Sequence, residues 1–287
     1  DTKAVAAQYP YLCSGALRDA QVTGLPEGVL AQYDGLQVTQ KDLDSRIAEL
    51  TGSARDQAQK YPIHTLEQLL TRRLMLIEAR DWAKASSRTA GSEDELVRIY
   101  LATNVPEFDV TDQEAEDFYK EHAPMFGGSA YEKIKDSVFY VVREEKTALA
   151  EDQFKAAAGK RHKILVSESW LLAEHERWSR NPVEQARLSG KPTYVNFGVT
   201  GCCDKMEPVT RALRLRYRRG EMNVVFINVG EEEVLSNLYA VATIPVQFLF
   251  DKDGKLLLRH QGNMTEQQVV AAFAENGVDL SKGDKNE

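Results

Sequence analysis

Cysteine is scarce in this chain, with three residues in 287. That is too few for a scaffold held by disulfides, and an odd count leaves one thiol free or paired outside the chain. Long apolar runs are missing as well. Charges interrupt every hydrophobic segment well short of the ~20 residues that a membrane-spanning helix needs, so no membrane span is expected. Positive charge is not in excess: 36 Lys and Arg stand against 44 Asp and Glu, a formal net charge of −8. This argues against a nucleic-acid partner, whose phosphates need a basic footprint. No phosphate loop, Gly-x-Ser-x-Gly elbow or dinucleotide fingerprint occurs, so the sequence calls for no cofactor.

What is present is an ordinary globular composition, 43% hydrophobic and 28% charged, at a length for which two domains are the natural expectation. The chain begins at Asp1 rather than Met, which leaves a removed signal peptide or a trimmed start as alternatives. Residues 1–28 read as an N-terminal extension rich in turns, among them Tyr9-Pro10 and Ser14-Gly15. Cys13 lies here, either as a small buried hydrophobe or as a partner for the cysteines at 202 and 203. Val29–Val38 reads as a hairpin around Asp34-Gly35. Thr39 with Asp42 then caps a helix carrying Leu43, Ile47 and Leu50 on one side. A longer helix opens at Thr65 and runs to about Lys84, and another starts at Ser92. Thr111 and Glu114 form a capping box for a fourth helix, which Pro124 stops. Gly127-Gly128 is a turn. A long helix runs from Glu132 to about Ala158, with Gly159 ending it.

This hairpin-then-helix opening resembles the helical chaperone domain of SurA-type periplasmic folding factors. So do the Leu-rich helix, the Val110–His122 segment and the long helix with its Ile164-Leu165-Val166 exit. The likeness covers residues 29–168. In that family a prolyl isomerase domain usually follows the Val110-type helix. Only residues 123–130 stand between that helix and the next, so the resemblance implies client-chain contact or docking and not isomerase activity. Residues 169–180 read as a connector.

From Asn181-Pro182 onward the pattern changes. The order is helix, strand (Thr193–Phe197), helix (from Met206), strand (Asn223–Val229), helix, hairpin around Asp251–Gly254, and a last helix capped by Thr265. This implies a mixed sheet with helices on both faces. Residues 181–279 resemble the periplasmic thioredoxin-like proteins, through Gly190–Phe197, Lys205–Pro208, Val225–Val229, Ala242–Pro245 and Phe248–Lys255. Residues 280–287 read as a tail. The expected fold class is therefore α+β, a mostly helical first domain followed by an α/β thioredoxin fold.

The resemblance implies a cis peptide bond before Pro245 and a peptide-binding turn at Thr243, Ile244 and Pro245. Its nucleophilic cysteine has two placements. Anchoring on Lys205-Met206 and Pro208 puts Cys203 at the family's second cysteine and Thr200 at the nucleophile position. Anchoring on the strand puts Cys202 at the nucleophile position. The family's buried acid maps to Asn196. A thiol near a helix N-terminus is acidified by the unpaired amides there. Adjacent cysteines, however, have alpha carbons only about 3.8 Å apart, against about 4.4–6.8 Å in ordinary disulfides. Cys202 and Cys203 thus fit a monothiol, a strained switch, a soft-metal clamp or a relic better than ordinary dithiol cycling. His175 and His260 are isolated, so no metal site is expected. The arginines at 211, 214, 216, 218 and 219 read either as a solvated helix face or as a docking surface for an acidic partner.

The expected function is a bacterial protein, periplasmic or secreted, that assists folding or assembly of an exported client or partner without a Cys-x-x-Cys cycle. A thiol–disulfide oxidoreductase is the alternative, and a soft-metal binder or a subunit of a larger complex is a further one.

Overall fold

The computed structural model describes residues 3–9, 12–122, 126, 129–200 and 206–280. The expectations at Pro10, Pro124, Gly127, Gly128, Cys202, Cys203 and residues 281–287 lie outside them. The chain divides into two compact units, residues 1–171 and 172–287.

The first unit opens with α1 (Val5–Gln8), β1 (Gln21–Thr23), β2 (Val29–Tyr33) and β3 (Leu36–Thr39). Asp34 and Gly35 both take positive φ, 48° and 77°, the turn that a tight two-residue hairpin requires. Next come α2 (Gln40–Glu49), α3 (Gly52–Lys60), α4 (Pro62–Ser86), α5 (Glu93–Asn104), α6 (Asp112–His122), α7 (Tyr131–Arg161) and β4 (Leu165–Ser167). A four-stranded sheet runs β1-β4-β2-β3. Thr39 caps α2 through a reciprocal box with Asp42, and the Thr39 hydroxyl and N–H hold the Asp42 carboxyl down at about 2. The segment 3–28 is built into the unit. β1 pairs with β4, and Val5, Leu12, Ala16, Leu17 and Ala20 are fully buried.

Three boundaries differ from the sequence reading. α3 gives no apolar stripe, because Ala58 is its one buried residue. α4 starts at Pro62 instead of Thr65, with proline at the first helical position, where its missing N–H is harmless. α7 does not end at Gly159 but passes through it to Arg161. That glycine serves packing: a β-carbon there would sit 2.0 Å from the Ala16 carbonyl oxygen. Gly159→Ala should cost the first unit about 3 kcal/mol through overpacking, although alanine is the better helix former. Denaturant unfolding of the full chain reads this, with Gly91→Ala as the control at an exposed site.

The same 14–17 turn rests on a buried acid. Glu67 of α4 accepts from Gly15 N–H (2.8 Å) and Leu17 N–H (3.0 Å), with Ser14 N–H more distant at 3.4 Å. Burial pushes its carboxyl from 4.5 up to about 7, against the lowering effect of those three donors. The folded pKa lies above the unfolded one, so the fold favours the protonated acid. The associated stability is fully present below pH ~4.5 and is lost as pH rises through ~7, on the order of 3 kcal/mol in all. Glu67→Gln should flatten that loss, as followed by amide hydrogen exchange along α4 between pH 5 and 8.

α8 (Glu168–Trp178) carries the chain into the second unit, with α9 (Pro182–Arg187), β5 (Thr193–Gly198), α10 (Met206–Arg216), β6 (Asn223–Asn228), α11 (Glu233–Leu238), β7 (Val246–Phe250), β8 (Leu256–Gln261) and α12 (Glu266–Glu275). Asn181 caps α9 by accepting from Val183 and Glu184 N–H. The sheet order is β6-β5-β7-β8. β5 runs parallel to β6 and antiparallel to β7, which is antiparallel to β8. Every residue of β5 and β7 is buried, as central strands covered on both faces must be. One face packs Tyr194, Met206, Leu213, Leu249 and Phe273 into a core. Phe197, Tyr239 and Phe248 meet as an aromatic group, with ring centroids 5.5–5.6 Å apart. Among the described residues no helix is long and apolar enough to cross a membrane.

Candidate functional site

The ladder between β5 and β7 ends at Phe197 opposite Val246. The chain leaving β5 at Gly198 therefore passes the turn before β7, where Thr243, Ile244 and Pro245 are half-buried. The Ile244–Pro245 bond is cis, as the resemblance implies. Thr200 is exposed in the turn after β5. Since residues 199–205 alone join β5 to α10, the helix starts at this same end, with Met206 buried. The loop after β8 closes onto it: Gly262 N–H donates to the Pro245 carbonyl at 2.9 Å, and Met264 N–H lies 3.3 Å from the Met206 sulfur. The fold thus gathers Thr200, Thr243, Ile244 and Pro245 at one end of the sheet. Cys202 and Cys203 fall between Thr200 and Met206 in sequence and lie outside the described residues.

A buried polar trio lies in the strands and helix that lead to this end. Asn196 of β5 and Gln247 of β7 are register partners, and both are wholly buried. Gln247 Nε2 donates to Asn196 Oδ1 at 3.2 Å, and Asn196 Nδ2 reaches Thr210 Oγ1 of α10 at 3.4 Å. Asn196 stands where the resemblance has a buried acid, so none of the three titrates near neutral pH. Neighbouring Tyr194 adds no charge there, because burial pushes its hydroxyl well above its ordinary range and keeps it protonated. Sequence reasoning found Asn196 but missed Gln247 and Thr210. A lone amide inside the apolar run Val246–Phe250 was the available signal.

An acid placed at position 196 would be desolvated. Asn196→Asp should therefore lower stability by about 2–4 kcal/mol at pH 8 and regain most of it toward pH 5, as the raised carboxyl takes up its proton. Thermal unfolding at the two pH values checks this, with Asn196→Ser as the uncharged control.

The other thiol is of a different kind. Cys13 is buried in the first unit, and burial, with the nearby Glu67 charge, pushes its pKa well up, so it is no ready nucleophile. Among the described residues no three His, Cys, Asp or Glu side chains gather to hold a metal ion. A surface groove between α2 and α4 in the first unit is lined by Arg46, Arg72 and Arg73. Their guanidiniums are already paired with Glu49, Asp94 and Asp42 at 2.9–3.0 Å.

No protein-family model matches the chain. Among curated proteins it is similar to a thiol-disulfide oxidoreductase ResA of Bacillus cereus, 25% identical over 111 residues that take in 30% of this chain and 64% of the relative. It is also similar to ResA of Geobacillus thermodenitrificans, 26% identical over 104 residues, 28% of this chain and 60% of the relative. The chain thus spans a little under two thirds of the length of these relatives. Among solved structures it is similar to the thioredoxin NaTrxh from Nicotiana alata, 24% identical, covering 35% of this chain and 85% of that one at a TM-score of 0.30. Part of the chain is similar to thiol-disulfide oxidoreductases, and its β6-β5-β7-β8 sheet with the cis bond before Pro245 is a thioredoxin-like fold.

Proposed function

We propose that this protein is an exported folding or assembly factor that carries out thiol–disulfide exchange on a client protein outside the ordinary Cys-x-x-Cys cycle. The observation that supports it is the convergence, at one end of the β6-β5-β7-β8 sheet, of the β5 exit, the α10 start and the Thr243–Pro245 turn. The likeness to ResA adds the chemistry. In this reading residues 29–168 form a SurA-like helical domain that holds or docks the client. Residues 181–279 form the exchange domain, and the protein works in the bacterial periplasm or as a secreted protein.

The reaction begins with the Cys202 thiolate attacking one sulfur of a client disulfide. A mixed disulfide forms and the other client sulfur leaves as thiolate. A second thiol then attacks the Cys202 sulfur, and the first client sulfur leaves in turn. Cys203 is poorly spaced for that step, so an external thiol reductant takes it and is left in a disulfide with Cys202. A second reductant thiol cleaves that bond, freeing the Cys202 thiolate and leaving as the oxidised reductant dimer. Ile244 offers its backbone to an extended client segment, Thr243 and Pro245 shape the turn beside it, and Thr200 occupies the place from which the family's leading sulfur is missing.

Insulin reduction with glutathione as the reductant tests this. Cys202→Ser should fall to the uncatalysed background, while Cys203→Ser should keep at least about half of the wild-type rate, with no more mixed disulfide than wild type, because the external thiol does the resolving. Identical background rates for wild type and both variants would remove the exchange reading. A stoichiometric client complex that survives both substitutions would then leave assembly as the function.

A further inference from the structure

β6 is an outer strand of its sheet. Asn223 N–H donates to the Pro192 carbonyl and Val229 N–H to that of Gly198, both at 2.9 Å. Backbone groups alternate along a strand, so residues 223, 225 and 227 face β5 while Val224 and Phe226 turn theirs outward. Among the described residues neither outward N–H meets a backbone acceptor, and the group found on the Val224 carbonyl is the Arg214 guanidinium, Nε at 3.3 Å. This edge carries no proline, no lysine and no bulge, the usual guards of an exposed strand.

Arg214 belongs to a row. Arg211, Arg214, Leu215 and Arg218 follow one another at helical spacing along α10 and the turn after it, and all four are exposed, Leu215 by 65%. Residues 211–219 hold five arginines and no acid, in a chain of net charge −8. Of the five, Arg216 is held by Glu266 at 2.9 Å. The Arg214 contact places this row alongside the open backbone of β6.

We infer that the β6 edge is a docking site for an extended acidic segment of a partner protein, which adds to the sheet as a further strand. Its backbone pairs with the outward groups of Val224 and Phe226. Carboxylates on one of its faces meet Arg211, Arg214 and Arg218, and an apolar residue covers Leu215. Charge decides the occupant. A second copy pairing through the same edge would bring two arginine rows together, whereas a carboxylate-bearing strand neutralises one. The site is separate from the Thr243–Pro245 turn and does not depend on any thiol.

The test uses the full chain and a fluorescein-labelled peptide of about ten residues alternating Glu and Val, long enough for one strand. A peptide alternating Lys and Val is the control. The Glu peptide should bind and the Lys peptide should not. Binding should slow hydrogen exchange at the Val224 and Phe226 amides, weaken with added salt, and fall at least about tenfold in Arg211→Glu/Arg218→Glu. Both of these side chains are exposed, so the double variant keeps its core, and an unchanged thermal unfolding midpoint verifies that. Equal binding of the two peptides, binding indifferent to the double substitution, or unaltered exchange at 224 and 226 would overturn the proposal. So would a dimer in sedimentation without peptide whose contact protects the same two amides.

Discussion

The antiparallel pairing of β5 with β7 governs the second unit. Both strands are buried along their whole length, so neither can slip by one residue without sending its side chains to the opposite face. That register decides which residues meet at the end of the sheet. It sets Asn196 against Gln247 in the interior and Phe197 against Val246 at the rim, and the turn containing Pro245 follows from where the ladder stops. A hydrophobic constraint thus fixes the position of polar groups that contribute little to burial themselves.

The first unit depends on a different kind of contact. Its N-terminal segment must lie against α7 closely enough that a single methyl group would intrude, and against α4 closely enough that a carboxylate can receive its backbone N–H groups. A buried acid that accepts from backbone amides makes a directional socket. Its cost is a carboxyl that titrates near neutrality. The polar centre beside the second unit's site is built instead of two amides and a hydroxyl, which carry no charge to titrate.

Much of this was legible in the residues. Asp34-Gly35, the caps at Thr39, Ser92, Asn181 and Thr265, and the apolar run of β5 each carry a local cause that tertiary structure did not override. What failed to show was what packing alone decides. α3 has almost no inward face to announce it. Gly159 reads as a stop by local rules, yet serves as a clearance between helix and backbone. Gln247 and Thr210 gained meaning only when the register brought them to Asn196. At the site, the turn before β7 and the exit of β5 could be placed from sequence because they bracket regular elements. The openness of β6 could not, since an unpaired edge is a property of the whole sheet order.

The strand order of the first unit also bears on how the chain matures. β1 comes from the first thirty or so residues, but its partner β4 follows α7, so Gln21 meets Leu165 only after nearly all of the unit has left the ribosome. Until then the leading segment lacks both its strand partner and the helix that crosses it at Gly159. A nascent chain arrested before β4 would hold a capped hairpin and several helices with their shared interior still unsealed. The last short strand acts as the latch of the whole first unit.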